Sequence, residues 1–162
     1  MKTLPATDLA FFDDAPVRIT SSAVIAADPA RVFAALADAA GWPRWFPRMY
    51  EAAWTSPQVA QLGAERLVKL KLYGNFVERM IAWQPGRRYA FTMVGSTSPL
   101  ARRIAEDYRL TDRGDGTTTI DWTMATEPNA LGKLATPIFI GMMRRMFAKA
   151  GAGLNAYLSA HG

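Results

Sequence analysis

Asp28-Pro-Ala-Arg-Val-Phe-Ala-Ala-Leu-Ala-Asp-Ala-Ala-Gly-Trp-Pro-Arg-Trp-Phe-Pro47 decides how the rest of this 162-residue chain is read. Asp28 is a natural helix N-cap, and Pro29 stands at the first helical position, where its missing N–H costs nothing. Val32, Phe33, Leu36 and Ala37 then recur at helical spacing. Gly41 ends that helix, and Pro43 and Pro47 prevent a long continuation, leaving a knot built on Trp42-Pro-Arg-Trp45. The stretch predicts two short helices placed directly after a first strand.

Working outward, Val17 to Ala26 reads as that strand, with Val17, Ile19, Ser21, Ala23 and Ile25 on one face. Met49 to Thr55 is the next. From Arg66 onward Val68, Leu70 and Leu72 share one face while Lys69 and Lys71 share the other, the alternation of a half-buried antiparallel strand. Tyr73-Gly74-Asn75 supplies turn chemistry, and Phe76 to Trp83 returns. After the Pro85-Gly86 turn, Arg88 to Val94 aligns Tyr89, Phe91 and Met93. Ile104 to Thr111 and Thr117 to Thr126 form a last hairpin around Asp112-Arg-Gly-Asp-Gly116. In it, Ile104, Glu106, Tyr108 and Leu110 share a face, and Thr118, Ile120, Trp122 and Met124 share another. The count is seven strands, with no internal repeat.

A long helix closes the chain. Thr136 is its expected cap and Pro137 its opening residue, and the pattern runs to about Ser159. Ile138, Met142, Met146, Ala150, Leu154 and Tyr157 form the expected apolar stripe, widened by Phe139, Met143 and Phe147. Gly141, Arg145 and Lys149 fall on the solvated side. At 1.5 Å per residue such a helix reaches roughly 34 Å, enough to cross a whole sheet.

Composition narrows the function classes. Half the residues are hydrophobic and a fifth charged, ordinary for one globular domain. There is no cysteine, which excludes disulfides, thiolate chemistry and Cys-ligated metals. The net charge is +5, but the cations are scattered and cluster only as Arg87-Arg88, Arg102-Arg103 and Arg144-Arg145. No basic tail or run of the nucleic-acid-binding kind is present. No apolar run approaches the roughly 18 residues needed to span a bilayer. Residues 1–16 lack an apolar leader core, since Leu9-Ala-Phe-Phe12 is followed at once by Asp13 and Asp14, so a cytoplasmic location is expected.

Four local patterns occur in succession: Asp28-Pro-Ala-x-Val-Phe, Trp42-Pro-x-Trp, Glu78-Arg-Met-Ile-Ala-Trp-Gln-Pro85, and Gly116-Thr-Thr before the last strand. Taken together over about Val17 to Tyr157, the chain resembles the START-like (SRPBCC) superfamily, and within it the polyketide cyclase/dehydrase and lipid-transport type. The resemblance implies an α+β helix-grip fold, in which a curved seven-stranded antiparallel sheet wraps around the C-terminal helix. Residues 1–16 would then be an N-terminal extension and residues 17–160 the single domain. It also implies a hydrophobic small molecule as partner, with no nucleic acid, no stable membrane insertion and no cofactor.

Inward-facing residues are the candidate site. Parity after Leu72 is open: a two-residue turn turns Val77, Arg79, Ile81 and Trp83 inward, whereas a three-residue turn selects Phe76, Glu78, Met80 and Ala82. The family pattern favours the second, because Met80 stands where that pattern carries an inward apolar residue. The candidate ligand-binding set is then Trp45, Val68, Leu70, Leu72, Glu78, Met80, Tyr89, Phe91, Met93, Glu106, Tyr108, Trp122, Met142 and Met146. The buried carboxyls of Glu78 and Glu106 need a partner or a raised pKa, and Arg66 has the parity to answer one of them. They would either orient a polar ligand group, or one or both would lie at the rim or form structural ion pairs. Trp42, Trp45 and Phe46 would either gate the cavity or seal the end of the sheet.

No catalytic or metal-ligating set stands out. His161, the single histidine, is next to last, and there is no phosphate loop or nucleophile elbow. Three functions follow. The first is a carrier or sensor of a lipid, isoprenoid or polyketide-like molecule. The second is a cofactor-independent cyclase, aromatase or dehydratase using inward acidic and Tyr groups. The third is a protein-interaction or chaperone-cofactor module.

Overall fold

A computed structural model describes residues 1–160, with the backbone alone at Ser56; His161 lies outside the described residues. Its elements run β1 (Lys2–Thr3), α1 (Phe11–Asp14), β2 (Val17–Ile25), α2 (Pro29–Ala37), a 3-10 helix (Ala39–Arg44), β3 (Met49–Ser56), β4 (Glu65–Leu70), β5 (Gly74–Gln84), β6 (Arg88–Ser96), β7 (Ala101–Asp112), β8 (Thr118–Pro128) and α3 (Ala130–Ala160). Antiparallel pairing gives the sheet order β2-β8-β7-β6-β5-β4-β3, with β1 joined to β6. This is the helix-grip arrangement, with eight strands where seven are expected.

The insertion after β2 forms as its sequence dictates. The Asp28 carboxylate accepts from the N–H groups of Ala30 and Arg31 at 2.9 and 3.1 Å, satisfying two of the helix's unpaired donors. Trp42 donates its indole N–H to the Leu36 carbonyl at 2.8 Å, tying the two short helices together.

The eighth strand has a clear cause. β6 and β7 pair from Arg88↔Arg109 to Thr92↔Ala105 and then diverge, which leaves the far end of β6 with unpaired backbone groups. Lys2 and Thr3 fill that edge opposite Ser96 and Gly95, and Leu4 N–H donates to the Val94 carbonyl. Thr7 then bonds the Thr92 hydroxyl, and the chain continues over the convex face. Phe11 and Phe12 are buried there against Ala82, Ala90, Ala105 and Ala125, small side chains that leave room for the two rings.

Three expectations need correction. The β4–β5 turn is indeed three residues long, but it is Lys71-Leu72-Tyr73, since Leu70 pairs with Gly74. Leu72 therefore leaves the strand, takes a left-handed backbone (φ 73°) and is 88 % exposed. Phe76, Glu78 and Met80 do face inward. A bulge between Met80 and Ala82 then reverses parity, so that Ala82 joins the convex cluster and Trp83 turns inward, edge-on to Phe33 at 5.2 Å.

The third correction concerns α3. It begins at Ala130, seven residues before Pro137, because the Asn129 side chain accepts from Gly132 N–H and caps it. Pro137 removes one intrahelical donor, in a turn whose residues Leu134, Pro137 and Ile138 are exposed. The buried face is Met143, Met146, Phe147, Ala150, Gly151, Leu154 and Leu158, while Ile138 is 78 % exposed. Phe147 stacks on Trp122 at 5.5 Å. Asn155 bonds Val24 O and Ala26 N, pinning the helix to the end of β2.

Close approach fixes where α3 sits. A Cβ at Gly153 would collide with the Trp45 carbonyl, and one at Gly151 would stand 2.9 Å from Ala23 Cβ. Gly153→Ala should therefore lower stability by about 1–3 kcal/mol through overpacking, although alanine is the better helix former. Urea unfolding of the two proteins checks this; a stabilised variant would contradict the contact.

Candidate functional site

Between the concave face and the first half of α3 lies a cavity of about 430 Å³. Strand pleat supplies most of its wall: Leu70 from β4, Phe76 and Glu78 from β5, Phe91 and Met93 from β6, Ile104, Glu106 and Tyr108 from β7, and Met124 and Thr126 from β8. Phe139, Met142, Met143 and Met146 of α3 cover it, and Trp42 and Phe46 close its side. The exposed members of the lining are Leu72, Thr97, Pro99 and Met142, so the mouth lies between the 71–74 turn, the β6–β7 loop and α3.

Of the fourteen expected site residues, Leu70, Leu72, Glu78, Phe91, Met93, Glu106, Tyr108, Met142 and Met146 line this cavity. Trp45, Val68, Met80, Tyr89 and Trp122 are buried in the core outside its lining. Trp45 packs on Trp42 with ring centres 4.4 Å apart, and Tyr89 sits among Phe33, Trp83 and Tyr108. Ile104, Met124, Thr126, Phe139 and Met143 belong to the wall without having been singled out for it. Met124 and Ile104 carried the right signal, the parity of Trp122 and Glu106. Thr126 shares that parity too, but a threonine at a strand end looks like a rim residue.

Polar groups gather at one part of the wall. Arg66 is fully buried and stands directly opposite Glu78 in the β4–β5 ladder. Its Nε and Nη2 donate to Glu78 Oε2 at 2.8 and 2.6 Å. The guanidinium lies 4.1 Å from the centre of the Trp42 ring, a cation–π contact in a desolvated setting. Its Nη1 finds no partner among the described residues. On the next hairpin, Tyr108 donates its hydroxyl to Glu106 Oε2 at 2.5 Å. Both bonds to Glu78 fall on one oxygen, as does the bond to Glu106, leaving each carboxyl an oxygen for a ligand.

Burial governs the ionisation of this group. It is the largest single influence on Arg66 and disfavours the cation, but the charge of Glu78, its hydrogen bonds and the neighbouring Tyr89 and Tyr108 together outweigh it and hold the guanidinium protonated. Burial likewise pushes the Glu78 carboxyl up, with Arg66 pulling it back. Glu106 is pushed up from 4.5 to about 7, by burial first and by Glu78, against the hydrogen bond from Tyr108 and the charge of Arg66. The arrangement can accept a hydrogen bond from a hydroxyl or, with Glu106 protonated, donate one to a carbonyl. Among the described residues no group of three His, Asp or Glu side chains could hold a metal ion.

A family model described as polyketide cyclase/dehydrase and lipid transport matches residues 16–159. The chain belongs to that family. It is also similar to an uncharacterized protein of Mycobacterium tuberculosis, 34% identical over 119 residues that cover 72% of this chain and 70% of the other. A START superfamily protein from Mycobacterium smegmatis shares the fold at a TM-score of 0.67 and 12% identity, over 90% of this chain and 99% of that one. The Zhui aromatase/cyclase from Streptomyces sp. R1128 does so at 0.67 and 18%, over 89% and 92%. At such identities the two structures establish the START-like fold of this family member and nothing finer.

Two outcomes test the polar group. Arg66→Met should cost about 3–5 kcal/mol by leaving the Glu78 carboxyl buried and unpaired, and adding Glu78→Met should recover most of that loss in urea unfolding. For Glu106 the folded pKa lies above the unfolded one, so its stabilising contribution is complete below about pH 4.5 and lost as pH rises to about 7. Glu106→Gln keeps the neutral shape without titrating. Its unfolding free energy should gain on that of the natural protein across this window, and parallel curves would place Glu106 in contact with water.

Proposed function

We propose that this family member binds a hydrophobic small molecule, a lipid, isoprenoid or polyketide-like compound, between the sheet and α3 as a carrier or sensor. One observation carries the reading. A cavity of about 430 Å³, within the range typical of small-molecule sites, is walled by aliphatic and aromatic side chains, with carboxyls concentrated in one cluster. Apolar surface supplies affinity there, and Glu78, Glu106 and Tyr108 orient a hydroxyl or carbonyl. The methionines of α3 adapt to irregular apolar shapes.

The pairing of Glu78 with a Glu106 that titrates near neutral pH favours a second reading, a cofactor-independent cyclase or dehydratase. One carboxyl would act as base and the other as acid on the same ligand. Turnover that falls by about 10²-fold or more on Glu106→Gln is the signature this reading requires.

Binding is tested with an environment-sensitive apolar dye. The folded protein should take it up saturably, one per chain. Met93→Trp, which fills space next to Phe91, should weaken uptake by about tenfold or more while the melting temperature holds. Native mass spectrometry would identify a co-purified ligand. No saturable uptake by the folded protein would remove the carrier reading.

A further inference from the structure

The rim of the cavity carries exposed aliphatic side chains flanked by cations. Leu131, Leu134, Ile138 and Met142 are 57%, 82%, 78% and 41% exposed. Their spacing of three, four and four residues places them in one row along the outer side of α3. Three and seven residues further, Arg145 and Lys149 continue the same row, both exposed. Across the mouth stands Leu72, 88% exposed on a left-handed backbone. Leucine is disfavoured in that backbone region and in water alike, and a turn glycine would avoid both.

The charge around this apolar rim has one sign. Lys71 N–H bonds the Arg48 carbonyl beside Leu72, and both side chains are exposed. α3 adds Lys133, Arg144, Arg145 and Lys149, and has no Asp or Glu in its 31 residues. None of these six cations is ion-paired among the described residues.

We propose that this rim docks reversibly on the surface of an anionic lipid bilayer, with Leu72 and the α3 row entering the interface and the flanking cations meeting the headgroups. An apolar row that runs into Arg and Lys suits an interface between acyl chains and anionic headgroups. A protein partner is less well matched, because the row lacks the Trp and Tyr anchors that protein interfaces concentrate. A second copy is disfavoured too, since α3 offers no carboxylate to face the cations of another α3. No helix among the described residues is long and apolar enough to cross a membrane, so the contact stays at the surface. If the cavity holds an apolar ligand, as proposed above, its mouth then opens onto the bilayer.

Sedimentation of the full chain with vesicles tests the proposal. Vesicles of phosphatidylcholine with phosphatidylglycerol should carry the protein down at low salt, and phosphatidylcholine alone should carry about tenfold less. Added salt should release it. Leu134→Glu/Ile138→Glu should reduce binding to the anionic vesicles by about tenfold or more with an unchanged melt. Leu72→Gly relieves the left-handed backbone, so its melting temperature should hold or rise while vesicle binding falls. The proposal is overturned by no binding to anionic vesicles, by binding indifferent to these variants, or by a concentration-dependent dimer that Ile138→Glu dissolves. Dye uptake is measured on the same proteins without vesicles. Uptake with no vesicle binding would overturn docking alone, and vesicle binding with no uptake would support docking while removing the carrier reading.

Discussion

A straight rod laid across a curved dish touches it at its ends, and that constraint organises this molecule. α3 is 31 residues long and the sheet beneath it twists and curls. Its second half is held down, where Gly151 and Gly153 let the backbone approach Ala23 and Trp45 and where Met143 to Leu158 bury their apolar side chains. At the other end Gly132 lies against the Leu100 carbonyl, close enough that a Cβ would collide with it. Between these anchors the helix bridges a gap that side chains do not fill. The divergence of β6 from β7 beyond Thr92 widens the same gap, and residues 1–4 satisfy the backbone edge this exposes. Cavity, mouth and eighth strand are thus consequences of one mismatch in shape.

The buried charges are explained by specificity of pairing better than by stability. Taking Arg66 and Glu78 out of water costs several kcal/mol per ion before their attraction is counted, and a well-packed apolar pair of similar volume often does as well or better. What the pair does impose is register. Sliding β5 by one residue would set Arg66 against Val77 or Arg79 and bury an unpaired guanidinium under Trp42. That penalty falls between the two bulges of the β5–β6 ladder, one at Val94 of β6 and one at Ile81 of β5, where strand pairing is otherwise least constrained. Register in turn decides that Glu78 and not Arg79 faces the cavity.

Much of this was legible in the sequence, and the failures are local. The succession of strands from β2 onward and the inward placement of Phe91, Met93, Glu106 and Tyr108 follow from period-two alternation and turn chemistry, and the inserted helices from capping and helical spacing. Alternation carries no information about a bulge, so it sets Ala82 inward and Trp83 outward. A proline preceded by threonine looks like a helix opening, which hides the earlier start of α3 under the Asn129 cap. Ile138 reads as core because apolar spacing alone does not say which of two adjacent rows meets the sheet. The alanines at 90, 105 and 125 were a sign that the convex face is covered, since small residues on a solvent-facing row leave room for Phe11 and Phe12. Cavity lining is harder still: Val68 and Leu70 have the same parity, and only their height along the strand separates core from wall.

That height also gives the cavity a direction. Glu78 lies four residues into β5 from the Gly74 end of the turn, and Glu106 five residues into β7 from Ala101, so the carboxyls sit about 13–16 Å along the strands from the rim. The exposed lining is Leu72, Thr97, Pro99 and Met142, with cations flanking it; the wall beyond is mainly apolar, Thr126 apart, until the two carboxyls and Tyr108. On the carrier reading proposed above, a ligand with one polar end and one apolar end is matched in a single orientation, polar end first. Its tail would lie under Phe139 and Met142 at the mouth, where Met142 belongs both to the cavity lining and to the exposed row. On the reading proposed above, ligand tail and bilayer would then meet through one turn of helix, which is where a molecule passing between them encounters the least water.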